Sequence, residues 1–116
     1  MKVIMAGTRT VREGVLDAMR SSPFWDQITE VVHGGARGVD QVAGAIASVR
    51  WPVRVFPADW AAHGRAAGPI RNRQMAAYAD ALIAVWDGQS RGTASMIAEM
   101  QKLGKPVHVV IVKGEA

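Results

Sequence analysis

The sequence predicts an α/β fold: a three-layer sandwich in which helices cover both faces of a mainly parallel sheet of about five strands. Three observations predict it. Apolar runs of four to six residues recur along the chain, the stretches between them repeat apolar residues at helical spacing, and the alternation continues to the last run. At 116 residues the chain is one domain, 1–116, long enough to bury roughly two-thirds of its unfolded surface.

The first run, "VIMA" (3–6), is apolar throughout, as a strand covered on both faces is in a parallel sheet. Thr10 and Glu13 stand at capping-box spacing and Val11, Val15 and Met19 recur every four residues, which predicts a helix with a marked start. "ITEVV" (28–32) is the second strand. Residues 38–49 place Val39, Val42, Ala43, Ile46 and Val49 on one helical stripe. Gly44 weakens that helix by about 1 kcal/mol relative to alanine, and close packing on the sheet would account for it. "VRVF" (53–56) is the third strand, and Pro69 suits the first turn of the helix "PIRNRQMAAYA" (69–79). "ALIAVW" (81–86) and "VHVVIV" (107–112) are again almost wholly apolar, as doubly covered strands are. Between them Met96, Ile97, Met100 and Leu103 give a helix its apolar face, which Gly104 and Pro106 terminate. Residues 58–68 form the longest connection, of a length that often serves as a lid.

Composition bounds the function. Hydrophobic residues make up 49%, charged residues 21%, and prolines number five, the balance of a globular protein and not of a disordered tail. Cysteine is absent, which excludes disulfides, thiolate metal ligands and cysteine nucleophiles. There is no run of about 18 apolar residues, and the opening "MKVIMAGTRT" enters a strand pattern, so the expectation is a cytoplasmic protein without a membrane partner. The histidines, at 33, 63 and 108, have no metal-ligand spacing, so no metal is expected. Neither a Ser-His-Asp order nor a G-x-S-x-G elbow occurs.

A net charge of +4 is modest for a nucleic-acid binder, so the placement of charge decides its meaning. The four lysines lie near the chain ends. Arg9, Arg37, Arg65, Arg71, Arg73 and Arg91 fall in or beside four connections: "AGTRT" (6–10), "HGGARGVD" (33–40), "PADWAAHGRAAGPIRNRQM" (57–75) and "WDGQSRGTASM" (86–96). Glycine lets backbone N–H groups approach an anion, a following helix N-terminus adds about half a positive charge, and arginine forks onto phosphate oxygens. A parallel sheet gathers such loops at one edge, where ligands sit. Tight turns and close helix packing also require glycine, a reading that weakens when four loops share the pattern. The spacing matches neither G-x-G-x-x-G nor the P-loop.

The motifs "AGTR" (6–9), "GGARGVD" (34–40), "FPADW" (56–60), "GPIRNRQM" (68–75), "ADALIAVWDG" (79–88) and "SRGT" (90–93) together resemble the small YspA-like, YpsA-related branch of the SLOG superfamily over nearly the whole chain. The resemblance implies a Rossmann-like domain, a nucleotide-like ligand and pairing into a homo-oligomer. "GGARGVD" and "RNR" (71–73) also resemble the core of DNA-processing protein A, which binds single-stranded DNA. "GPIRNRQM" with "SRGT" more loosely resembles the Lonely-Guy phosphoribohydrolases. Those enzymes carry a catalytic glutamate three residues after the motif threonine; here Met96 stands there, and Glu99 lies one helical turn further on.

The leading expectation is therefore a domain that binds or senses a nucleotide or nucleotide-derived ligand, with no certain cofactor. Gly7, Thr8 and Arg9 would meet a phosphate or ribose, and the amides of Gly34, Gly35 and Ala36 would hold a phosphate with Arg37. Gly92 and Thr93, after Ser90, form a second anion nest, and Arg71 and Asn72 face the same space. Asp40 either answers the helix dipole or touches ligand. Asp59 and Asp87 would take hydroxyls or orient an arginine; Trp60 or Trp86 would stack on a base, although Trp86 also suits the core. His33 reads as a hydrogen-bonded strand-end residue or a proton shuttle. A second class of function is hydrolysis of an N-glycosidic or phosphoester bond, with Glu99, Asp59 or Asp87 as acid or base. A third is single-stranded nucleic-acid binding, which calls for aromatic platforms in a chain that is 6% aromatic.

Overall fold

Ala81–Trp86 is a strand with the bounds of its apolar run, and it lies beside the first strand at the centre of the sheet. The computed structural model describes residues 1–113. Five strands, β1 (Lys2–Gly7), β2 (Glu30–His33), β3 (Val53–Val55), β4 (Ala81–Trp86) and β5 (Val107–Ile111), pair in parallel in the order β3-β2-β1-β4-β5. This is the expected Rossmann-like α/β architecture.

Alternation along the strands divides the core in two. Val3, Met5, Val31, Ile83 and Val85 pack with α1 (Val15–Ser21) and α2 (Val39–Ala47) on one face. Ile4, Ala6, Val32, Leu82 and Ala84 meet α4 (Ala67–Tyr78) and α5 (Arg91–Lys102) on the other. Ile4, Met5, Leu82 and Ile83 are wholly buried, which stabilises the fold by about 1.5–3 kcal/mol for each side chain.

The differences from the sequence reading lie at element ends. Thr10 and Glu13 form no capping box: α1 begins at Val15 behind Gly14, whose φ of 77° is a left-handed conformation that glycine adopts freely. The α2 helix ends at Ala47, so Val49 leaves the apolar stripe and is 85% exposed. β5 is the sheet edge, and Val109 and Ile111 are exposed, not doubly covered. The long connection is not a bare loop: it holds α3 (Trp60–His63) and a 3-10 turn, Gly64–Ala66, and α4 follows at once. Among the described residues no helix is long and apolar enough to cross a membrane.

The end of β1 is the tightest point of the framework. A Cβ on Gly7 would fall onto the Val85 carbonyl oxygen and the Val39 side chain, so β1, β4 and α2 meet there without room for a methyl group. Gly7→Ala is expected to lower unfolding free energy by about 2–3 kcal/mol, read as a lower urea midpoint at unchanged slope.

Candidate functional site

The chain runs outward from β1 to β2 and β3, then returns to β4 and β5 on the other side of β1. The loops after β1 and β4 therefore diverge, and the crevice between them is where a parallel sheet receives ligands. A cleft of about 280 Å³ opens there, lined by Ala6, Gly7, Arg9, Ala36, Asp40, Arg71, Asn72, Met75, Ser90, Gly92, Thr93 and Met96.

The loop after β2 departs from the phosphate nest expected of it. Asp40, only 5% exposed, folds back from the first turn of α2, and its Oδ2 accepts the amides of Gly34 at 2.9 Å and Ala36 at 3.2 Å. The Gly35 amide donates to His33 Nδ1 at 3.0 Å. All three amides assigned to a phosphate are thus engaged by the protein's own side chains. His33 is a structural residue: burial lowers its pKa, and a Cβ on Gly44 would lie 2.7 Å from its Nε2, which accounts for glycine in the middle of α2. Arg37 is exposed and stands outside the cleft lining.

Arg71 closes the loop from the other face. Its Nη1 donates to the Gly34 carbonyl at 2.7 Å, and its Nε donates to Asn72 Oδ1 at 3.0 Å. Asn72, itself buried, donates through Nδ2 to the Gly92 carbonyl and to Ser95 Oγ, which ties α4 to the start of α5. Both residues line the cleft, as expected, and both also brace it. Arg9 reaches the cleft from the β1 loop and is exposed.

The loop after β4 is built from its own polar groups. Asp87 Oδ1 accepts the amides of Gln89 at 2.9 Å and Ser90 at 2.8 Å, bonds that hold its carboxyl below the usual carboxylate range. Thr8 Oγ1 accepts the Asp87 amide at 3.0 Å and Trp86 Nε1 donates to the Ser90 carbonyl at 3.0 Å. Thr8, Trp86 and Asp87 therefore shape the loop and do not line the cleft. Beyond them α5 begins without a side-chain cap at Ser90, and its first intrahelical bond is that of Ala94 to Ser90. The amides of Arg91, Gly92 and Thr93 have no helical acceptor, which leaves a positive helix end at the cleft. Beyond its own helical turn and chain neighbours, no heavy atom lies within 4 Å of a Cβ built on Gly92, so packing does not demand glycine there.

The three carboxylates considered for acid or base work do not line the cleft. Asp59 caps α3, accepting the Ala62 amide at 3.1 Å; Asp87 holds its loop; Glu99 pairs with Lys102 at 3.4 Å. Trp60 is 52% exposed on α3, away from the lining. Asp40 is the acidic member of the lining, and burial pushes its pKa up to about 6, against the pull of its two amide bonds, Arg71 and Arg9. Met96, read only as part of a helix's apolar face, and Met75 also wall the cleft. Each stands three residues after a polar lining residue, Asn72 or Thr93, and that helical spacing was the signal for them.

Raising the pKa of Asp40 from 3.8 to about 6 makes the folded state hold its proton more tightly than the unfolded chain does. The stability from this group is complete below about pH 4 and is lost as pH rises to about 6, by roughly 3 kcal/mol. Asp40→Asn preserves the oxygen that accepts both amides, so its unfolding free energy is expected to lack that fall. The difference between the two pH profiles, measured by urea unfolding, isolates Asp40 from His33, whose lowered pKa acts in the opposite sense.

No family model and no solved structure matches the chain. It is 38% identical over 122 residues to the Gene 61 protein of Mycobacterium phage D29, an alignment covering 91% of this chain and 93% of that protein. The shared length and identity place the chain in the family of that phage protein.

Proposed function

We propose that this domain binds a nucleotide or a nucleotide-derived phosphorylated ligand in the cleft between β1 and β4, and that it does so as a SLOG-type Rossmann-like protein. The observation that supports this most directly is the uncapped start of α5, with Gly92 open to approach, beside Arg9 and Arg71 in one cleft. Helix amides, an exposed guanidinium and a braced one are the groups that hold a phosphate. The anion site belongs to α5 and not to the loop after β2, whose amides Asp40 and His33 already use.

Binding is preferred to hydrolysis because Glu99, Asp59 and Asp87 all lie off the cleft lining and Asp40, the carboxylate within it, is already engaged by two backbone amides. It is preferred to single-stranded nucleic-acid binding because the lining holds no aromatic ring on which bases would stack. Pairing of two copies, implied by the same resemblance, would cover the exposed Val109 and Ile111 of the edge strand β5.

Isothermal titration against AMP, ADP and ADP-ribose tests the reading. Arg9→Ala is expected to weaken the best ligand by about tenfold, since a charge-assisted bond is worth about 1.5–3 kcal/mol, whereas Arg37→Ala leaves affinity unchanged. Affinity that survives both Arg9→Ala and Arg71→Ala would remove the site. Gly92→Ala separates folding from binding: it is expected to leave stability unchanged or raise it by up to about 1 kcal/mol, yet to weaken binding by placing a methyl group in the anion's path.

A further inference from the structure

We infer that the cleft selects a sugar phosphate bearing free hydroxyls, and that Asp40 is the specificity-determining residue that receives them. This rests on the binding reading above and names the ligand class for that same site.

The two oxygens of Asp40 have different surroundings. Oδ2 is committed to the Gly34 and Ala36 amides, while Oδ1 meets no donor among the described residues, and the residue lines the cleft. Arg71 and Arg9 act on it through their charge, yet neither forms an ion pair with it; among the described residues the ion pair is Lys102 with Glu99. Oδ1 is thus a carboxylate oxygen with its acceptor capacity free at the cleft wall, and a ligand hydroxyl is the donor that would use it.

The surroundings narrow what the donor is. Two guanidinium groups beside the carboxylate disfavour an ammonium, and a neutral hydroxyl carries no such repulsion. The donor and an anion must belong to one small molecule, because the start of α5 and Asp40 line the same cleft. At about 280 Å³ the space lies just below the usual range of ligand pockets, about 300–1,000 Å³, and its walls are aliphatic and polar. A sugar phosphate fits that description; a base, if attached, would extend outside.

The test compares ribose 5-phosphate with tetrahydrofurfuryl phosphate, the same ring and phosphate without hydroxyls, by titration at about pH 8, where Asp40 is ionised. Inorganic phosphate serves as the third ligand. Wild-type protein is expected to prefer ribose 5-phosphate by about tenfold or more, because a site built to bond a hydroxyl rejects the analogue lacking it. Asp40→Asn is expected to narrow the preference to about threefold or less while binding the hydroxyl-free phosphate at least as tightly, since a negative charge has gone. Equal affinity of the two ring phosphates for wild-type protein overturns the Asp40 assignment and leaves the anion site standing. A full preference retained in Asp40→Asn also overturns it. Absence of binding by all three ligands overturns both this inference and the reading beneath it. The wild-type comparison decides the matter even where the variant folds poorly.

Discussion

A buried carboxylate holding two backbone amides is the constraint on which the site depends. Asp40 accepts the amides of Gly34 and Ala36, and these bonds fix the turn that follows β2. With that turn fixed, the Gly34 carbonyl presents itself to Arg71, whose guanidinium then joins α4 to the sheet edge. Arg71 in turn orients Asn72, and Asn72 holds the first turn of α5 through the Gly92 carbonyl and Ser95. One chain of hydrogen bonds thus runs from α2 across the cleft to α5. Both walls are positioned by it, so the cleft is a product of polar bracing as much as of apolar packing.

That bracing costs free energy. Burial disfavours the ionised form of Asp40 by more than its amide bonds and the two arginines recover, which is why its pKa is pushed up to about 6. Apolar burial at Ile4, Met5, Leu82 and Ile83 offsets that cost elsewhere in the same domain. An asparagine would satisfy both amides without the desolvation cost of a carboxylate.

The fold was legible because its signals are local and repeated. The run 81–86 has the bounds of β4, and the strand–helix alternation alone implied a parallel sheet. Helix starts were less legible: Thr10 and Glu13 have the spacing of a capping box, but a left-handed Gly14 starts α1 instead, and a glycine conformation is not written in side-chain pattern. The edge position of β5 was hidden for a related reason. Apolar continuity reports how a strand would like to be covered, whereas strand order decides whether a neighbour exists to cover it.

For the site, the loops chosen from the sequence contribute unequally to the cleft. Arg9, Arg71, Ser90, Gly92 and Thr93 reach the cleft, whereas Thr8, Arg37, Asp59, Trp60 and Asp87 do not line it. Composition places glycine, arginine and aspartate in a loop without saying which of them satisfies the others. A glycine-rich turn next to an acidic residue has two solutions: its amides face an outside anion, or the chain's own carboxylate fills that role. The loop after β2 takes the second solution, whereas the start of α5 has no side-chain cap and leaves its first amides open. The same motif chemistry therefore yields an internal strut on one side of the crevice and an accessible cationic end on the other. The cleft therefore carries a carboxylate acceptor from α2 together with open donor amides from α5, and under the binding reading that combination, more than any single arginine, sets what kind of molecule it distinguishes.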